Sequence, residues 1–424
     1  MIEIDRAVKA RESQAADLFE KLHVATHDGV GITRPSYGEG EQFAHTLVGE
    51  YASSIDLEVD CDAAGNTFMV LPGADRKVPP VIVGSHLDSV AQGGNFDGAA
   101  GVISGLVAVS AFQDAGVVPA RDIRVMAIRA EEGEWFGVSY IGSRSALGTL
   151  PQDALDRASR VDTGLTLAEH MVQAGCDPDA IRAGRASLPP NGLHACIEVH
   201  IEQGPVLDEA SIPVGLVTGI RGNSRLPNAR CIGEYSHCGG VPRTHRQDAV
   251  VSVSELVKRI DDIWTECEAV DQDFAFTVGK LFTDSSQHAM SKIAGAVEFT
   301  LDMRSLDGEF LKEMESRVAR LAEEIGHRRG VEFELGKFLR VEPGVLEPRV
   351  LEELREGVDA LGIRALELGS GASHDSAAFA TAGVPTAMLF IRNANGSHNP
   401  HESMELSDFT EATRVLAWWL AHRL

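Results

Sequence analysis

No apolar run approaches the roughly 20 residues that cross a bilayer, although hydrophobic residues make up 44% of the 424-residue chain. No membrane span is therefore expected. The first residues, MIEIDRAVKARESQAADLF, lack a basic start followed by an apolar core, so no signal peptide is expected either. Cysteine is sparse and unpatterned: Cys61, Cys176, Cys196, Cys231, Cys238 and Cys267 form no CxxC pair and no regular framework. That usage predicts a reduced, cytoplasmic protein. Positive charge is also short, with 38 Lys and Arg against 63 Asp and Glu and a net charge of -25. Such a balance repels nucleic acid and anionic membrane surfaces, and neither is expected as a partner. There is no long linker, internal repeat or low-complexity tract. The length alone suggests roughly two to three domains with ample core.

What is present centres on residues 81–136. Val81 to Gly84 is a short β-branched run that reads as a buried strand and delivers His86 and Asp88 at its end. Asp97 follows in a Gly-rich turn, immediately before DGAAGVISGLVAVSAFQD, which is apolar almost all round and predicts a helix buried between layers. A second strand, Ile123 to Ile128, runs into the adjacent carboxylates Glu131 and Glu132. One His and several carboxylates at strand ends within some fifty residues are metal-site chemistry rather than core packing. Each of them alone would ordinarily be a surface or capping residue, and Glu131-Glu132 alone a solvated charge pair. Their grouping is what argues.

In chain order, helical patterns cover about 6–23 and 40–55, and Ala64-Gly65-Asn66 marks a hairpin turn in a β-rich stretch. Strand, helix, strand then imply a parallel or mixed sheet covered by helices. The strand HACIEVHIE brings in His200. Near Pro213 the character changes to strands, a helix at about 247–269, more strands and a helix at about 307–328. Two βαβ-like halves of this kind make one small sheet with two helices on a face. The expected division is therefore 1–212, an inserted domain at 213–330, and 331–424, where a helix at 349–361, the strand TAMLFI and a helix from Ser407 resume the first pattern.

The segments HLDS, GGNFDGAAGV, AEEG, EVHIEQGPVL, FTLDMRS, SGASHDSAAF and GSHNPHE resemble, in order, the M20 metallopeptidase-like amidases. HIEQGP is similar to the signature of the hydantoinase/carbamoylase branch, which includes N-carbamoyl-L-amino acid hydrolases, β-ureidopropionases and allantoate amidohydrolases. The resemblance implies an α/β fold: a mixed-sheet dinuclear metallohydrolase domain with an inserted α+β, ferredoxin-like domain serving as lid and homodimer contact. It implies two divalent metals, with His86 and His200 on one, Glu132 and His398 on the other, and Asp97 bridging. Imidazole and carboxylate donors suit Zn, Mn, Ni or Co. Asp88 would hold His86 in its ligating tautomer. Glu131 would be the general base, His237 an oxyanion donor, and Arg304 the grip on a substrate carboxylate, a charge otherwise lacking a partner. Gln203 and His374 match positions lining the substrate pocket.

The chain also departs from the pattern. HCGGVPR, beginning at His237, stands for the usual HAGTTPM, Ser291 stands where an Asn is usual, and EEGEWF places Trp135 where an arginine is usual. Ser291 and Trp135, taken to lie near the pocket, imply an N-substituent other than the commonest. The expected function is a metal-dependent amidohydrolase of the linear carbamoyl or acyl C–N bond of a small carboxylate-bearing substrate. An M20-type dipeptidase or carboxypeptidase is the alternative within the family, and a catalytically dead binding protein the alternative outside it. None of the expected ligands is missing, which argues against the last.

Overall fold

The computed structural model describes residues 2–424. The chain divides into two compact units, one formed by the residues up to Ile220 together with Val345–Leu424, the other by Arg221–Gly344.

The first unit is built on an eight-stranded mixed sheet. Across it the strands run Glu58–Cys61, Thr67–Leu71, Ile123–Ile128, Val81–His86, Ala195–Ile201, Thr386–Ile391, Val214–Ile220 and Ala365–Ser370. The hairpin read at Ala64-Gly65-Asn66 joins the first two of these, which pair antiparallel from Glu58↔Val70 to Cys61↔Thr67. The four central strands are mutually parallel. Both sheet faces are covered, so their apolar residues alternate between two cores rather than between core and water. Val81, Val83, Ile123 and Val125 pack on one side with the helix Ala99–Asp114. Ile82, Met126 and Ile128 pack on the other with Phe379. Every residue of that helix from Ala99 to Phe112 is buried, as its all-round apolarity requires. Because the central strands are parallel, their C-terminal ends share one edge of the sheet. His86, Glu131-Glu132, His200 and the loop holding His398 all leave from it.

The second unit is built on a six-stranded antiparallel sheet with Gly222–Ile232 and Ala296–Ser305 at its centre. Two amphipathic helices, Ala249–Glu268 and Gly308–Arg329, cover one face through Val253, Leu256, Ile260, Met314, Val318 and Leu321. The boundaries differ from those expected at 213 and 330. Pro213 precedes a strand of the large sheet, since Val214–Ile220 pairs with Ala365–Ser370 and Thr386–Ile391. At the other end Glu332–Glu334 and Leu339–Val341 pair with Gly222–Ile232, which carries this unit on to Gly344. The helix read over 6–23 is two helices, Ile2–Ala10 and Glu12–Thr26. Among the described residues no helix is long and apolar enough to cross a membrane.

Gly101 sets the distance between the buried helix and the sheet, because a Cβ there would lie 2.0 Å from the carbonyl oxygen of Val199, next to His200. Replacing Gly by Ala in a helix normally gains about 1 kcal/mol. Here the new methyl meets fixed backbone, and overpacking of that kind costs about 1–3 kcal/mol or more. Gly101→Ala is expected to destabilise the protein, measured as a lower urea midpoint at unchanged slope; a gain in stability would show that the helix can move away freely.

Candidate metal centre

At the shared strand edge, His86, Asp97 and His200 are buried, and each offers one donor atom within 4.8 Å of the others. The ring tautomers follow from the backbone. His86 Nδ1 lies 3.1 Å from the Asp88 carbonyl oxygen, and His200 Nδ1 lies 2.9 Å from that of Ile201. A carbonyl only accepts, so both Nδ1 atoms carry hydrogen, and in the neutral rings both Nε2 atoms present lone pairs. Those two Nε2 atoms are 3.4 Å apart, and Asp97 Oδ1 lies 3.4 Å from the first and 3.1 Å from the second. Asp97 Oδ1 is itself buried without a hydrogen-bond partner. Three lone-pair donors facing one another in a dry site repel unless a cation sits among them. Burial opposes charging the rings, yet the carboxylates of Asp88 and Asp97 raise the pKa of His86 well above its ordinary value, and that of Asp97 raises His200. These residues fit a divalent metal ion.

The other oxygen of Asp97 faces a second group. His398 Nε2 lies 3.6 Å from Asp97 Oδ2 and 3.3 Å from Glu132 Oε1, and these three residues again offer donors within 4.8 Å. The Glu132 carboxylate, against burial, pushes His398 up to about 9. Asp97 thus presents one oxygen to each group. Gln203 donates its amide to Asp97 Oδ2 at 2.8 Å, with His398 Nε2 3.2 Å away. Glu131 stands beside the first group, its Oε2 4.0 Å from His86 Nε2. Burial holds its carboxyl well above the usual carboxylate range, against the pull of His86 and with the push of Glu132.

Asp88 ties these parts together. Its carboxylate takes the backbone N–H of Glu131 at 3.0 Å, that of Glu132 at 3.1 Å and the Ser36 hydroxyl at 2.7 Å, and it lies 3.3 Å from His86 Nδ1. Backbone strain falls at two places, Ala130 just before the glutamate pair with φ 51 and His398 with φ 59, left-handed values that cost a non-glycine residue about 1–3 kcal/mol. At Ala130 the strain is held by Glu41, whose carboxylate takes its N–H at 2.8 Å and the Arg129 guanidinium at 3.0 Å. Gly98, at φ +67, leaves room for the His86 ring, which a Cβ would meet at 2.5 Å.

The remaining expected residues fall in three places. His374 is buried in the first unit, its ring centroid 4.5 Å from that of His200 and its Nε2 2.9 Å from the Ser370 hydroxyl. Trp135 does not line a pocket, contrary to expectation. The short helix Gly133–Phe136 turns it into a local core with Tyr37, Phe136 and Leu155, and its indole N–H bonds the Ser89 carbonyl at 2.7 Å. His237, Ser291 and Arg304 belong to the second unit. His237 pairs with Lys292 in a small two-stranded ladder, and the next residue's N–H reaches the Ser291 carbonyl at 2.9 Å. His237 Nδ1 accepts the N–H groups of Gly239 and Gly240 at 3.1 and 3.0 Å, which leaves Nε2 as its hydrogen donor. Arg304 is not without a partner: it makes a two-pronged contact with Asp302 at 3.2 Å, in a groove of about 460 Å³ that Arg225 also lines.

Three residues were missed by sequence reasoning. Glu402 holds the N–H groups of Phe96 and Asp97 at 2.7 and 3.2 Å and the Ser397 hydroxyl at 2.7 Å. It lies in the GSHNPHE segment, and a carboxylate four residues after His398 was the available signal. Glu198 is buried under the site, bonded to Ser85 and Ser376. Arg34 is fully buried beside the Asp97 turn; nothing in its local sequence marked it.

The chain belongs to peptidase family M20/M25/M40, whose pattern matches residues 82–422. Within that family its likeness runs to the amidases. It is 36% identical over 408 residues to an N-carbamoyl-L-amino acid amidohydrolase of Geobacillus stearothermophilus, covering 95% of this chain and 97% of that one. It is 28% identical to an allantoate amidohydrolase of Bacillus subtilis, with 92% of each chain covered. An amidase of the hydantoinase/carbamoylase family from Burkholderia multivorans superimposes with a TM-score of 0.87 at 27% identity, over 97% of each chain.

Asp88→Asn places an amide group against backbone donors that need an acceptor. We expect a loss of about 1–3 kcal/mol of stability and a fall of about 10–100-fold in metal affinity, read by unfolding and by chelator competition. Unchanged metal affinity would remove Asp88 from the support of the centre.

Proposed function

We propose that the chain hydrolyses the linear carbamoyl or acyl C–N bond of a small N-substituted amino acid, using two divalent cations. The observation that carries this reading is the shared Asp97, with one oxygen toward His86 and His200 and the other toward Glu132 and His398. Zn, Mn, Ni or Co would suit these donors. Cations held there supply the charge that lowers the pKa of a water molecule and polarises a carbonyl.

The chain's own groups do the rest. Glu131 is buried, has a high proton affinity and lies outside both donor groups, which supports it as the base. It accepts a proton from the attacking water and returns it to the leaving nitrogen. His237 donates from Nε2 to the carbonyl oxygen as that oxygen gains negative charge. Arg304 takes the substrate carboxylate with its planar fork, and exchange with Asp302 would deliver the fork already oriented. Gln203 and His374 remain pocket residues in this reading, Gln203 through its amide beside Asp97. With Trp135 buried in its own core, Ser291 is left as the departure that bears on the N-substituent. A homodimer through the second unit is supported by its edge strand Leu281–Thr283, which exposes Leu281 and Phe282.

A panel of N-carbamoyl, N-formyl, N-acyl and ureido acids with added Mn or Zn tests the reading, with free amino acid and ammonia as the readout. Hydrolysis of none of them, or of dipeptides in preference, would overturn it. Glu131→Gln should retain metal and lose several orders of magnitude in rate, because the amide cannot accept the proton; loss of metal instead would exchange the two glutamates. Arg304→Lys should weaken use of carboxylate substrates by about 1.5–3 kcal/mol, the scale of a charge-assisted hydrogen bond, with metal content unchanged. Equal turnover of a carboxylate substrate and its neutral amide would remove the role of Arg304.

A further inference from the structure

Arg34 is 0% exposed, yet its guanidinium bonds only neutral acceptors. Nε donates to the Leu87 carbonyl at 2.7 Å, one terminal nitrogen to Asn95 Oδ1 at 3.5 Å, and the other to the Asp97 carbonyl at 3.4 Å. Its own backbone is clamped as well, with its N–H on Ser89 Oγ and the Ser89 N–H on its carbonyl, both at 2.9 Å. Among the described residues no carboxylate lies within ion-pair distance of it. A buried charge without a paired counter-ion is expensive to keep unless a surrounding field of the opposite sign offsets the loss of water. That field is present. Burial lowers the Arg34 pKa, and Glu402, Asp97, Asp88 and Glu132 oppose the loss of its proton.

We infer that Arg34 is a resident cation of the metal centre, a positioning residue whose charge holds the carboxylates together when metal is absent. The inference rests on the reading of the cluster as a metal site. Asp88, Asp97, Glu131, Glu132 and Glu402 are all buried. Without metal the carboxylates repel one another, and Arg34 joins the protonatable rings of His86, His200 and His398 as a positive charge fixed at the back of the turn that carries Asp97. Its stabilising effect should therefore be larger in the metal-free protein than in the loaded one. A packing role alone would be the same in both.

Thermal midpoints of the full chain, chelator-treated and with MnCl2, separate these cases. Arg34→Met is expected to lower the metal-free midpoint by at least roughly twice the drop seen with manganese, by linkage between binding and stability. Arg34→Lys, which keeps the charge and loses the fork, should recover most of the metal-free midpoint. Asn95→Leu, which loses a fork contact and keeps the charge, should lower both forms alike. If Arg34→Met folds only with MnCl2 present, the inference stands in its strongest form; if it folds under neither condition, the lysine variant decides. Equal drops for Arg34→Met in both forms, or a lysine variant no better than the methionine one, would overturn it. A wild-type protein that manganese does not stabilise would instead overturn the metal site itself.

Discussion

The structure turns on a local repulsion. Two imidazole nitrogens and a carboxylate oxygen, each with its lone pair exposed, are held within 3.1–3.4 Å of one another and away from water. Hydrogen bonds from the opposite ring nitrogens to backbone carbonyls fix the neutral tautomers, so only an added positive charge, a proton or a metal ion, relieves the contact. Only positive charge makes such an arrangement favourable. The sheet, the buried helix and the strained turns have the common effect of keeping those donors together.

The fold does this through parallel strands. Four central strands ending at one edge bring in side chains from positions as distant as His86 and His398, and Gly101 and Gly98 let the helix and the His86 ring approach closely. Asp88 then couples the first strand to the glutamate pair after its neighbour. Left-handed backbone at Ala130 is tolerated because the Glu41 carboxylate holds its N–H. The centre is thus assembled from long-range contacts whose local conformations are unfavourable alone.

That division explains what could be read from the chain. The buried helix, the hairpin and the strands leading to His86 and Glu131 were legible because apolar pattern and turn residues are local signals. The residues expected as metal donors were marked by motifs that flank them, and the structure brings them into two groups. Trp135 was misplaced since its neighbour in sequence, the glutamate pair, faces the site while the short helix sends the indole into a separate core. The insert's limits were misjudged because a strand begins at Val214 on either account, and only its partners show which sheet it joins. Arg34 and Glu402 were hidden by distance: Glu402 grips the Asp97 backbone from 305 residues away.

The central claim is that Asp97 is shared by two cations. Anomalous scattering from crystals grown with manganese, collected across its absorption edge, tests it directly. The account predicts two peaks in the first unit, one among His86, His200 and Asp97 and one among Asp97, Glu132 and His398. A single peak that leaves one donor group empty, or density at neither, would contradict it.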